Sequence, residues 1–295
     1  MKKHLITTAA LALAGLALLV PAASAGTLPF NTGDLILGFR EFGVSTDYEV
    51  DIGSALDYIP GGTNAGSGLV TLSSISGIGA DLTSIFGAGW TTDANLHWSI
   101  SGATQAASIG SGAIPKNTLF ATKGESVIGV SPTGWTAASS GTQAIPAGKI
   151  NGAMGGTGVG GYANGDTASG QTLSTNNPVG LIQATSAANS YGSFQATDSG
   201  GNVTSSFGYF SGGIEGTFAG GTSGAVLDLY EMKTVNSGSA GTLIGSFELN
   251  NSGALSFNPG NPGGSAVPEP STYAAILGVV TLGFVAVKRR RQAKA

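Results

Sequence analysis

The sequence predicts a mostly β fold: an antiparallel β-sandwich of jelly-roll-like type with one or two short helices, an N-terminal signal helix and a C-terminal transmembrane helix. Three observations carry this expectation. Apolar and polar residues alternate at period two, as in Asp47 to Ile52, where Asp47, Glu49 and Asp51 fall on one face and Tyr48, Val50 and Ile52 on the other. Glycine fills 50 of 295 positions and charged residues make up only 9%, a composition that suits short strands joined by tight turns. Uncharged apolar segments lie near both ends.

Residues 1–25 have a secretory layout. Met1-Lys2-Lys3-His4 supplies a positive start, Leu5 to Val20 carries no charge, and Pro21 ends the apolar helix. Ala23-Ser24-Ala25 is a small-x-small cleavage site that leaves Gly26 as the first mature residue. The Sec translocon and signal peptidase are the partners this implies.

The body, residues 26–259, is expected to be one exported β-rich domain. Asp34 to Phe39 and Asp47 to Ile52 open it as strands, and Gly68 to Ile75 and Asn95 to Ile100 follow. A short helix is predicted from Asp81, as N-cap, through Phe86, with Gly87 ending it. Ala225 to Thr234 and Thr242 to Asn250 flank the loop Asn236 to Gly241, and a turn at Asn251-Ser252-Gly253 leads into Ala254 to Phe257. That turn chemistry predicts a meander. Asn151 to Ser169, with seven glycines between Gly152 and Gly165, reads as a long loop or a divide between two halves.

Residues 260–266 form a Gly/Pro/Asn spacer. Beyond it stand Val267-Pro268-Glu269-Pro270, an uncharged stretch over about 271–287, and the basic tail Lys288-Arg289-Arg290-Arg291. Tyr273 to Val287 would span about 22 Å as a helix, short of a hydrocarbon core of about 30 Å. Lysine and arginine stems that reach the interface make up part of the difference. Positive residues stay on the cytoplasmic side, which leaves the body outside that membrane.

This three-part tail resembles the PEP-CTERM sorting signal. The resemblance implies recognition by an exosortase, a membrane transpeptidase-like enzyme, in a Gram-negative bacterium that makes exopolysaccharide. Pro268, Glu269 and Pro270 would be the recognition element, and residues 267–291 the whole signal. Such tails also carry the label of an ice-binding protein C-terminal domain, but no Thr-x-Thr array of the kind that suits ice binding occurs in this chain. The segments GDLILGFRE, STDYEVDIGS, SIFGAGW and LDLYEMK are similar to a body type that recurs ahead of such tails, with no activity attached to it.

Composition excludes several functions. Between the ends, five basic residues face fifteen acidic ones, a net of −10, so no nucleic-acid partner is expected. Without cysteine, disulfides and thiolate chemistry are ruled out. His97 is the one histidine of the mature body and shares a strand face with Asn95 and Ser99. No G-x-S-x-G occurs. Gly156 to Gly161 matches G-x-G-x-x-G but lacks the strand and helix a dinucleotide site requires. No catalytic residue and no cofactor are therefore expected.

The row Asp47, Glu49, Asp51 spaces alternate carboxylates about 6.5–7 Å apart. It reads first as a solvated strand face. Calcium is a weaker candidate, because hard cations need such oxygens, and the spacing also overlaps that of inverting glycosidases. Trp90, Trp98, Trp135, Tyr162, Tyr191, Phe207, Tyr209 and Phe210 could stack on sugars wherever they are exposed. The leading expectation is a non-enzymatic surface or matrix protein, processed by an exosortase at the inner membrane and associated with exopolysaccharide. A carbohydrate-binding module comes next, and a glycan-active enzyme third.

Overall fold

The computed structural model of the chain describes residues 26–27, 31–66, 68–73, 75–105, 107–125, 129–153, 163–164, 180–185, 190–199, 203–218 and 226–259. The signal peptide, Gly156 to Gly161, Tyr162, the spacer and the tail from Val267 onward lie outside them.

In chain order, the first half contains β1 (Gly26–Thr27), β2 (Asp34–Glu41), β3 (Thr46–Ser54), β4 (Val70–Thr71), α1 (Ile78–Phe86), β5 (Leu96–Ala103) and β6 (Leu119–Gly124). There follow α2 (Ser140–Ala153), β7 (Ala163–Asn164), β8 (Gly180–Ala184), β9 (Gln195–Thr197), β10 (Val203–Ser206), β11 (Phe210–Ser211) and β12 (Gly216–Thr217). The chain then runs through β13 (Val226–Met232), β14 (Thr242–Leu249) and β15 (Leu255–Pro259).

The fold is mostly antiparallel β, as expected, but its main strands build one curled sheet rather than two facing ones. The order is β4-β15-β14-β13-β6-β5-β2-β3-β8, with β12 paired to the start of β5. The reason is β6. It pairs β13 from Leu119↔Met232 to Gly124↔Leu227, and β5 from Ser101↔Ala121 to Ala103↔Leu119. It thereby sews the N-terminal strands to the C-terminal meander. A three-stranded sheet β11-β10-β9 and the pair β1-β7 complete the strands.

Alternation fixes what each face carries. Leu37 opposes Val50 and Ile100, and Phe39 opposes Tyr48 and Trp98. These residues join Leu227, Leu229, Phe247 and Phe257 in the larger core, which α1 covers with Ile78, Leu82 and Ile85. Trp98 stacks between Phe39 and Phe218, with ring centroids at 6.3 and 5.8 Å. The opposite face is buried too. Ile36, Leu119, Ala121 and Met232 pack beneath Ala147 and Ile150 of α2 and beneath Tyr191, Phe207 and Phe210. Each face therefore buries its own apolar cluster, and the polar residues of the second face have to find partners inside the protein.

Three local expectations are corrected. Helix α1 begins at Ile78 after Gly77, not at Asp81, because the Asp81 carboxylate is buried and accepts a hydrogen bond from Tyr48 Oη at 2.8 Å. Its end at Gly87, with φ 91°, is as predicted. Among the described residues from Gly68 to Ile75, only Val70–Thr71 pairs as a strand. Of the stretch Asn151 to Ser169, residues 151–153 belong to α2 and 163–164 pair with β1; the rest of that expected loop or divide lies outside the described residues. Helix α2 contains Pro146, against its own propensity, and tertiary contacts hold it. Gln143 Nε2 donates to Asn117 O and Met232 O, both at 2.8 Å, while its Oε1 accepts from Ala138 N at 2.6 Å.

Candidate functional site: buried carboxylates and a C-terminal motif

The acidic row of β3 is not solvated. Asp47, Glu49 and Asp51 are 0%, 1% and 8% exposed, and the chain after β8 folds back over the first two. Asp47 Oδ1 accepts from Thr185 Oγ1 at 3.0 Å and Oδ2 from Gly192 N at 2.7 Å. Glu49 Oε1 accepts from Tyr191 N at 2.9 Å, and Asp51 Oδ1 from Gly53 N at 2.8 Å. Two carboxylates thus fasten the 190–193 turn to the sheet, while Asp51 caps its own strand end. Burial pushes Asp47 and Asp51 each up to about 6. No group of three or more His, Cys, Asp or Glu side chains suited to a metal ion occurs among the described residues.

Next to this row lies a buried ion pair. Arg40, on β2, donates from Nε to Glu215 Oε1 at 2.7 Å and from Nη2 to Oε2 at 2.6 Å. Tyr191 Oη donates to Glu215 Oε1 at 2.5 Å and lies 2.7 Å from Ser99 Oγ. The Tyr191 ring rests on the backbone of Gly38, where a Cβ would come within 2.7 Å of it. Only glycine admits that approach. His97 is half-buried, with Nδ1 4.0 Å from Glu215 Oε2, and burial lowers its pKa. Ser99, His97 and Glu215 are the residue types of a nucleophilic triad, but here the serine bonds to a tyrosine and the glutamate to an arginine. Chemically, the cluster is a clamp that closes the sheet under the 190–215 segment.

The aromatic residues divide by burial. Trp90, Trp98, Tyr191, Phe207 and Phe210 are 3% exposed or less. Trp135 and Tyr209 stay half-buried, each packed edge-on against Phe210 at 5.1 and 5.0 Å. A cleft of about 470 Å³ beside Pro259, where the chain leaves β15, is lined by Glu231, Lys233, Asn236, Thr242, Pro60 and Leu243 among others. Glu231 Oε2 pairs with Lys233 Nζ at 3.1 Å, while its buried Oε1 has no hydrogen-bond partner. Among the described residues, no helix is long and apolar enough to cross a membrane.

The sequence gives no sign of Glu215 and presents Tyr191 only as an aromatic able to stack on sugars; topology alone brings Glu215 to Arg40 and the Tyr191 hydroxyl to Glu215. The one available signal was Arg40 itself, the single cation of its strand, set next to an apolar run in a charge-poor chain. No curated protein and no solved structure matches the chain. The family model of the PEP-CTERM protein-sorting motif matches residues 266–291, which include Val267, Pro268, Glu269, Pro270 and Lys288 to Arg291. The chain carries a PEP-CTERM sorting motif at its C-terminal end, and that motif marks it as an exosortase-processed sorting substrate.

Proposed function

We infer that the protein is an exported, non-enzymatic surface or matrix component, which an exosortase processes at the inner membrane and which then associates with exopolysaccharide. The sorting motif at residues 266–291 is the observation that carries this reading. Signal peptidase cuts before Gly26, the Sec translocon exports the body, and the apolar stretch 271–287 holds the precursor in the membrane. From Pro259 to Pro268 the extended chain reaches at most about 30 Å, enough to hold a β domain clear of the bilayer while the processing enzyme grips Pro268, Glu269 and Pro270.

Two observations support a passive, glycan-associated role. The Ser99, His97 and Glu215 side chains are engaged in the clamp around Arg40 and Tyr191. The cleft beside Pro259 combines a carboxylate, an ammonium and an amide with apolar walls, a mixture that suits one sugar residue.

Deleting the exosortase gene in the producing cell is expected to move the protein from the surface fraction to the inner membrane as the longer precursor. An unchanged surface amount contradicts the sorting step. Protein recovered from the surface is expected to bind the organism's exopolysaccharide saturably, with competition by free sugar. Release of reducing ends from that glycan would overturn the non-enzymatic assignment.

A further inference from the structure

At the opposite end of the clamped face, two acids meet without a cation. Asp228, in the middle of β13, is fully buried. It lies opposite Lys123 of β6, and Glu125 follows two residues later on the same side. Asp228 Oδ1, Asp228 Oδ2 and Glu125 Oε1 are all buried without a hydrogen-bond partner. So is the hydroxyl oxygen of Ser131, a group that belongs to no acidic cluster. Ser131, Glu125 and Tyr230 are the polar neighbours that bear on Asp228; neither hydroxyl donates to it in good geometry, and the two carboxyl groups can bond to each other only through a proton held between them.

The neighbours that could neutralise the pair point elsewhere. Lys123 Nζ donates to Thr133 O at 2.8 Å and sits over the Trp135 ring at 5.2 Å. Tyr230 Oη donates to Pro132 O. From β14 the register brings Ser246 opposite Asp228 and Glu248 opposite Val226, which adds no positive charge. The remaining Glu125 oxygen accepts from Gly129 N at 2.5 Å and holds the turn in place.

Buried carboxylates in proteins are paired or coordinate metals, and three such carboxylate oxygens in one place call for a shared electrophile, which the Ser131 hydroxyl oxygen is placed to help ligate. We propose that Asp228, Glu125 and Ser131 form a calcium site that ties the β6–β13 seam to the 129–133 segment. The donor set is all oxygen, as calcium requires, and the site is independent of the sorting motif. Only two carboxylates contribute, which places the affinity with weak extracellular modules, at a Kd of about 0.1–1 mM.

The alternative occupant is a proton shared by the two acids. Burial raises the Glu125 carboxyl to about 7 and Asp228 in the same direction, so calcium would have to displace it. The test is thermal unfolding of the full chain in detergent at pH 8, in chelator and in about 5 mM calcium. Calcium is expected to raise Tm by about 2–5 °C, with chelator reversing the shift. Asp228→Asn and Glu125→Gln are each expected to abolish it, and to be no less stable than the parent in chelator, since one uncompensated charge is gone. Either variant suffices if the other does not fold. Absence of a calcium shift in the parent overturns the site and leaves the shared proton. A shift that persists undiminished in both variants also overturns it, by placing the ion elsewhere.

Discussion

Replacing Glu215 by alanine is expected to cost the folded protein about 3–5 kcal/mol, far more than a surface ion pair would. The Arg40 and Glu215 side chains are 8% and 1% exposed, so truncation strands a guanidinium where water cannot reach it. It also deprives Tyr191 Oη of its acceptor at 2.5 Å and loosens the turn whose N–H groups satisfy Asp47 and Glu49. The cost therefore measures both an orphaned charge and a released segment. Replacing both partners with apolar residues, Arg40→Met with Glu215→Leu, is expected to recover a large part of the loss, because no charge is then left unpaired. Urea unfolding of the processed protein measures both changes. A loss below about 1 kcal/mol for Glu215→Ala would show that the pair behaves as a solvated one and does not hold the segment down.

Stability is expected to fall as pH rises from 5 to 8. Asp47 and Asp51 move from 3.8 up to about 6, and Glu125 from 4.5 up to about 7, in each case chiefly through burial. Between the unfolded and folded pKa values, the native state binds more protons than the unfolded chain, so stability decreases with pH across that window. The contribution is complete below about pH 4 and lost as pH passes through about 6 to 7. For Asp47 and Asp51 it amounts to about 1–3 kcal/mol each. Measured in chelator, Tm at pH 5 should exceed Tm at pH 8 by several degrees, and Asp51→Asn should flatten part of the slope. Asp51 is the cleaner probe, because it accepts one hydrogen bond where Asp47 accepts two. A Tm that climbs steadily from pH 5 to pH 8 would contradict the burial of these carboxylates.

Strands with one apolar face were legible. Phe39, Tyr48, Trp98 and Phe247 fall where the period-two pattern puts them. What the pattern could not convey is that the second face is covered as well. Asp47 and Glu49 look like solvent residues in sequence, and only the return of the chain at Tyr191 and Gly192 reveals them as acceptors for backbone donors. Strand β6 escaped notice for the same reason. Leu119, Phe120 and Ala121 are buried on both faces, and a run apolar on both sides has no period to detect. With β6 unseen, the two strand groups looked like two sheets. Helix α2 is set against local propensity by Pro146 and by glycines, and its anchor is the buried amide of Gln143. The Glu125–Asp228 pair depends wholly on the β6–β13 register. The sorting tail was the opposite case: its information is linear, carried by Pro268, Glu269, Pro270 and the arginines after an apolar stretch, and the family match covers the same residues.

The intact mass of the protein recovered from the cell surface tests the sorting step directly. Exosortase processing predicts a product that begins at Gly26 and lacks Lys288 to Ala295. A mature chain that still carries Lys288 to Ala295, in cells whose exosortase is active, would contradict it.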